Sequence, residues 1–343
     1  MRRAKMAGVG FAVGIATGLF AAPAPQAGAV SISMAAADVS GLILAAQRQF
    51  NQGNYTSAIS TLQSAITQSP SSAEAHYWLG RSYYEIHDYD NAIARAEKSI
   101  ELDAKNSVYH MWLGRAYGGK ADRERSFFLA KKVKKEFEEA VHLNPSNIQA
   151  RRDLEEFCLD APWIVGGSKD EAKEQVEAIA ALDPIEGHLA RGVLYFEGMK
   201  KPDLAENEYR EVLNAKPKQL EPYFEAAAFF QRQNRASEAE GALRAAAQVS
   251  SNDPRLGYYR GVTLILSGAG LARAEEYLKS YLASTPERSD WPPHAAAREW
   301  LGRLYETQGK RAEAAEQYRA ALQLDPERKE ARTRLARLEK ASR

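Results

Sequence analysis

The chain has 343 residues, and its 46 Lys and Arg against 45 Asp and Glu leave a formal net charge of +1. A balance that close excludes a bulk nucleic-acid binder, whose basic excess would be large, and a composition 45% apolar and 27% charged excludes a disordered chain. A single cysteine excludes an intrachain disulfide framework and any zinc site built on several thiolates.

The chain opens Met1-Arg2-Arg3-Ala4-Lys5, runs without charge from Met6 to Ala22, and then offers Ala27-x-Ala29. Basic end, apolar middle and small-residue exit are the three parts of a secretory signal peptide, read here over residues 1–29 with cleavage after Ala29. The alternative is an uncleaved membrane anchor, for which seventeen uncharged residues rich in Gly and Ala is short. No cysteine lies near Ala29, so a lipoprotein is excluded, and Arg2-Arg3 reads as a plain basic region. No later apolar run is long enough to span a bilayer. The expected location is periplasmic or extracellular. Export puts Cys158 in an oxidising compartment, where an exposed thiol is a liability, so the fold should bury it.

From residue 39 the chain repeats itself. Trp78-Leu79-Gly80-Arg81-Ser82-Tyr83 recurs 34 residues later as Trp112-Leu113-Gly114-Arg115-Ala116-Tyr117, and again as Trp300-Leu301-Gly302-Arg303-Leu304-Tyr305. Each copy opens a helix that is followed by a second helix with a small residue in its first turn and, in most cases, a proline just beyond its end. This resembles the tetratricopeptide repeat, a helix-turn-helix unit of 34 residues. The resemblance covers residues 39–326 as eight repeats, after a short N-terminal segment at 30–38. The family's small position is held by Ala58, Ala92, Val133, Ala172, Ala205, Ala239, Ala274 and Ala314, where a larger side chain would force the two helices apart. Its large apolar position is held by Gln49, Tyr83, Tyr117, Cys158, Phe196, Phe230, Ile265 and Tyr305. Pro70, Pro145, Pro184, Pro217, Pro254, Pro286 and Pro326 separate successive units, since proline cannot continue a helix.

Three departures stand out. About seven extra residues fall around Gly118 to Arg125, and Val133 breaks the alanine column. A loop is inserted from Asp160 to Gly167, after which Ser168-x-x-Glu171 reads as a capping box. A further segment, Glu287 to Pro293, precedes the last repeat. Residues 327–343 place Ala331, Leu335 and Leu338 at helical spacing, as the polar-faced end cap that a stack of repeats requires. The expected fold is all-α, about 17 helices, with the right-handed superhelical solenoid that the resemblance implies.

Catalytic patterns are sparse. Val165-Gly166-Gly167-Ser168 lacks the Gly-Lys-Ser/Thr ending of a phosphate loop and follows no strand, and neither a Gly-x-Ser-x-Gly nor a His-Glu-x-x-His motif occurs. His76 and His110 occupy equivalent positions in adjacent repeats and read as packing side chains, with a two-histidine metal site as the sharper alternative. Cys158 stands where other repeats have tyrosine, which favours a buried, inert thiol over a nucleophile. Lys131, Lys132, Lys134 and Lys135 are followed by Glu136, Glu138 and Glu139, a mixture that reads as a solvated face, with attraction to an acidic partner or a membrane surface as the alternative. No cofactor is implied.

In the family, first-helix positions line the concave side and touch ligands. Carried over, they give Tyr77, Trp78, Arg81 and Tyr84; Met111, Trp112 and Arg115; Arg152 and Glu156; Phe224, Arg232, Tyr259 and Arg260; and Trp300 and Arg303. Trp, Tyr and Arg dominate binding hot spots. The alternative is that each tryptophan packs on its neighbour and each arginine pairs with a carboxylate. The lysine and asparagine clamp of one subtype is absent, since its positions read Ile43, Gln47, Trp78, Val108 and Trp112. The resemblance implies a non-enzymatic adaptor that holds a protein or peptide in its groove. A structural, self-associating envelope component is the second reading, and an enzyme using Cys158 or the His76/His110 pair a third.

Overall fold

The computed structural model describes the backbone of residues 27–340 and the side chains of residues 38–340. The expected signal segment falls outside the described residues except for its last three, which open the first helix. Among the described residues there are seventeen α-helices and no strand. The chain forms two compact units, one ending at Leu182 and one beginning at Asp183.

The first unit holds four antiparallel pairs: α1 (Ala27–Asn51) with α2 (Tyr55–Gln68), α3 (Ala73–Glu85) with α4 (Tyr89–Leu102), α5 (Ser107–Glu124) with α6 (Phe127–Leu143), and α7 (Ile148–Asp160) with α8 (Lys169–Leu182). The second holds α9 (Pro184–Val193) with α10 (Pro202–Asn214), α11 (Glu221–Arg232) with α12 (Ala236–Val249), α13 (Arg255–Ser267) with α14 (Leu271–Ser284), and α15 (His294–Thr307) with α16 (Arg311–Leu324). A π-helical turn, Leu194–Gly198, continues α9. The closing helix α17 (Lys329–Lys340) buries Ala331 and Leu338 against α16.

Local chemistry starts these helices. Ser72, Asp88, Asn106, Ser126, Asn147 and Asp183 each accept a hydrogen bond from a backbone N–H in the first turn that follows them. Ser168 caps α8 by accepting from the Glu171 N–H at 3.3 Å. The reciprocal half of the expected capping box does not form toward Ser168. The Glu171 carboxylate instead accepts from Lys134 Nζ at 2.6 Å, binding α8 to α6.

Packing within a pair depends on small residues on both helices. Ala58, Ala92, Val133, Ala172, Ala205, Ala239, Ala274 and Ala314 are each no more than 2% exposed, so this column faces the partner helix throughout. A second column lies on the first helices, at Gly80, Gly114, Gly192, Gly261 and Gly302. A Cβ at Gly114 would lie 2.5 Å from the Phe137 ring, at Gly192 2.9 Å from Tyr209, at Gly261 2.8 Å from Leu278 and at Gly302 2.5 Å from Tyr318. Each opposing side chain sits four residues after the small position of its own second helix. Where that residue is Ala96, the backbones close in, and a Cβ at Gly80 would lie 3.2 Å from the Ala92 carbonyl.

The seven extra residues do not form a loop. They lengthen α5 to 18 residues and α6 to 17, against 13 and 14 in the preceding pair. The spacing Val133, Phe137, Ala140 matches Ala58, Leu62, Ala65, so the valine stands in register. The second insertion folds as a single 3₁₀ turn, Trp163–Val165, with Val165 buried beneath it and Gly166 at φ 105°. In each unit the odd-numbered helices pack against one another while the even-numbered ones hardly touch, so the odd-numbered helices line the inner side of its curve.

Glycine to alanine should therefore change stability in opposite directions at two helical sites. Gly302→Ala forces a methyl into the buried Tyr318 ring, whose hydroxyl donates to Glu306, and is expected to cost about 1–3 kcal/mol despite its better helix propensity. Gly241→Ala, in α12 with nothing within 4 Å, should stabilise by about 0.5–1 kcal/mol. Urea denaturation followed by circular dichroism checks both signs.

Candidate protein-binding site

In the first unit, α3, α5 and α7 bring one position of each repeat into line as Trp78, Trp112 and Asp153. The arginines three residues later fill the gaps between these side chains. Arg81 places its guanidinium carbon 4.5 Å from the Trp78 ring centre and 4.3 Å from that of Trp112, with Phe50 of α1 at 4.7 Å and Tyr77 at 5.7 Å. The aromatic faces stabilise the cation through their quadrupoles. Its Nη1 donates to the Tyr77 hydroxyl at 3.3 Å, while its Nε is buried with no acceptor. No carboxylate pairs with Arg81 among the described residues.

Arg115 is handled differently. It lies 4.7 Å from the Trp112 ring and donates twice to Asp153, from Nε at 2.6 Å and from Nη2 at 3.0 Å. Both side chains are buried. Burial opposes the guanidinium charge, and Asp153 more than offsets it, so the group titrates above its ordinary value. Glu156 takes the arginine position on α7. Burial, with Asp153 beside it, raises its carboxyl to about 8.

Of the expected binding residues in this unit, Tyr77, Trp78, Arg81 and Tyr84 are half-buried and lie together. Tyr77 touches Trp78, and Tyr84 meets the Trp112 ring edge-on at 5.7 Å. Arg152 is half-buried on α7. Met111, Trp112 and Arg115 are at most 9% exposed and serve the interior between repeats.

In the second unit Phe224 is 3% exposed, stacked on Tyr259 with ring centres 4.8 Å apart and covered by Arg255 at 4.9 Å. Arg232 lies over Phe196 and pairs with Glu197 at 2.6 Å. Arg303 stacks on Trp300 at 3.9 Å, and burial, with Arg334 nearby, holds its guanidinium below its ordinary value. A pocket of about 430 Å³ opens beside it, lined by Glu306, Arg334 and Arg337. Glu306 binds both of those arginines, at 2.9 and 2.5 Å.

No curated protein matches the sequence. Tetratricopeptide repeat family models match residues 43–107 and 295–338. The chain is a tetratricopeptide repeat protein. Yeast Tom70 is similar in structure, with a TM-score of 0.58 at 16% identity, over 84% of this chain and 58% of that one. The Cut9–Hcn1 hetero-tetramer of APC/C gives 0.50 at 12% identity, over 87% of this chain and 55% of that one. A thermophilic tetratricopeptide protein of Thermus thermophilus is 20% identical, over 56% of this chain and 98% of that one, with a TM-score of 0.47. The all-α array of helix pairs is thus the tetratricopeptide fold, which as a class is a non-catalytic scaffold for protein contacts.

Phe50 and Asp153 meet Arg81 and Arg115 and are absent from the carried-over list. Asp153 was legible as the acid that replaces tryptophan one repeat after Arg115. Phe50 had no such signal, because its ring reaches Arg81 only when α1 packs on α3. The histidines serve the repeat joints: His76 Nε2 bonds the Pro70 carbonyl at 3.1 Å, and His110 lies between Glu136 at 2.8 Å and the Ala104 carbonyl at 3.4 Å. Among the described residues no three His, Cys, Asp or Glu side chains are grouped to hold a metal. None of the described helices is long and apolar enough to cross a membrane.

Cys158 is 2% exposed, and burial, with the Glu171 charge nearby, pushes its thiol up to about 12. Ellman's reagent at neutral pH should react with it at least about a hundredfold more slowly in the native protein than in urea, because the thiolate is the nucleophile.

The raised Glu156 carboxyl makes stability fall with pH. Its contribution is fully present below the ordinary carboxylate value and is lost as pH rises to about 8, since over that range the folded state keeps a proton that the unfolded state has already released. Glu156→Gln should match the wild type near pH 4 and exceed it at pH 9 by about 1–2 kcal/mol, allowing for the solvent-facing part of the side chain. Denaturation midpoints across that range check the sign.

Proposed function

We propose that this chain is a non-catalytic adaptor that holds an acidic segment of a partner protein against the inner face of its first unit, with Arg81 as the anchor. The observation that carries this reading is the state of Arg81: a half-buried guanidinium caged by aromatic rings, without a carboxylate of its own. A partner Asp, Glu or terminal carboxylate would supply the missing acceptor. Tyr77, Trp78 and Tyr84 offer it aromatic surface, the residue chemistry that dominates hot spots. Arg115 is not available for this role, because Asp153 already satisfies it. An envelope location is part of the proposal and rests on the three-part pattern of residues 1–29.

The test is a pull-down from envelope extract with the full chain, followed by affinity measurement on any recovered partner. Arg81→Gln should weaken binding about tenfold to thirtyfold, in the range of a hot-spot truncation, and Arg81→Lys should recover part of it. Arg115→Ala tests stability instead, because it strands the Asp153 charge in the interior. Unchanged affinity in Arg81→Gln overturns the reading.

A further inference from the structure

Both insertions fall at the turn between the first and second helices of their repeats, in adjacent repeats, and so share one edge of the first unit. The longer α5–α6 hairpin carries Phe127 and Phe128 at the start of α6, 55% and 70% exposed. The 3₁₀ turn carries Trp163 and Ile164, 84% and 57% exposed. The two are physically joined. Lys134, two helical turns along the same face of α6 from Phe127, donates to the Gly166 carbonyl at 3.0 Å and to Glu171 at 2.6 Å. Four large apolar side chains therefore stand out in water along one edge, at the places where the chain departs from its own repeat.

The charge at the α5–α6 tip is basic. Residues 126–135 contain four lysines and no acid, and residues 161–169 contain one lysine and no acid. Residues 122–135 hold six basic side chains against two acidic ones, before Glu136, Glu138 and Glu139 begin, whereas the 3₁₀ turn is flanked by Asp160, Asp170 and Glu171 against Lys169. Lys131 and Lys135 are exposed, while Lys132 reaches back over the Phe128 ring at 5.3 Å.

We infer that this edge docks on an anionic lipid bilayer, with Trp163, Phe127 and Phe128 entering the headgroup region and the exposed Lys131 and Lys135 facing lipid phosphates. The core of a protein interface is depleted of charge and complementary in shape to its partner. Here the apolar groups are largely exposed at the tips of two hairpins, with the exposed Lys131 and Lys135 on α6, an arrangement suited to a deformable, negatively charged surface. Aromatic rings favour the membrane–water boundary, and juxtaposed lysines add an attraction that salt screens.

The test uses the full chain with vesicles rich in phosphatidylglycerol. The expected result is binding that weakens as salt is raised and that falls about tenfold in Phe128→Ser/Trp163→Ser. Both substituted side chains are mostly exposed, so the variant should fold, which circular dichroism checks. Because the uncharged segment before Ala22 could itself touch lipid, a second measurement isolates the edge. Bromine-labelled acyl chains should quench wild-type tryptophan fluorescence, and Trp163→Phe should remove most of that quenching. Equal quenching in wild type and Trp163→Phe, or equal vesicle affinity in wild type and the double variant, overturns the proposal. A dimer that the double variant abolishes, without quenching by labelled lipid, overturns it in favour of contact between copies of the chain.

Discussion

The structure depends on how closely the two helices of each repeat approach. In four repeats a glycine on the first helix receives a Phe, Tyr or Leu from the second, and a small apolar residue on the second helix faces back. The rings that fill these notches, Phe137, Tyr209 and Tyr318, are at most 1% exposed. An interior packed to this density has no room for another methyl group. A single pair still leaves one apolar side uncovered, so within each unit each pair leans on its neighbour, and the last depends on α17.

This regularity gives the departures their meaning. Seven added residues could have formed a floppy turn; instead they lengthened both helices and kept Val133, Phe137 and Ala140 in register, which preserves the core and pushes Phe127 and Phe128 outward. The loop after α7 is pinned by Val165 below and Lys134 alongside, leaving Trp163 in solvent. Burial is kept at the inner positions of both segments and relinquished at their tips, which leaves large apolar side chains exposed there.

Electrostatics divides two arginines that look alike in sequence. Arg81 and Arg115 hold the same position in consecutive repeats, and both stack on Trp112. The next repeat supplies a carboxylate to one and the previous repeat a phenyl ring to the other. Arg115 and Asp153 bridge α5 to α7 as a buried pair, and breaking it would leave an uncompensated charge. Arg81 lies among π faces with its Nε facing no acceptor, which is why the proposed recognition is assigned to α3.

The sequence alone determined the helix pairs, their eight-fold recurrence, the small-residue column and the closing helix. These follow from a 34-residue period in which each unit cannot bury its apolar face alone and must stack on a neighbour. It also marked where the repeat was broken. It left open which of the aromatic and arginine residues face solvent, because position within a repeat fixes a side chain's direction but not what the neighbouring repeat brings to meet it. Tertiary packing decided that: Met111, Trp112, Arg115 and Phe224 went inside, Phe50 joined Arg81 from another helix, and two insertions well separated along the chain met at one edge. Such pairings depend on contacts between different helices, and those exist only once the stack has formed.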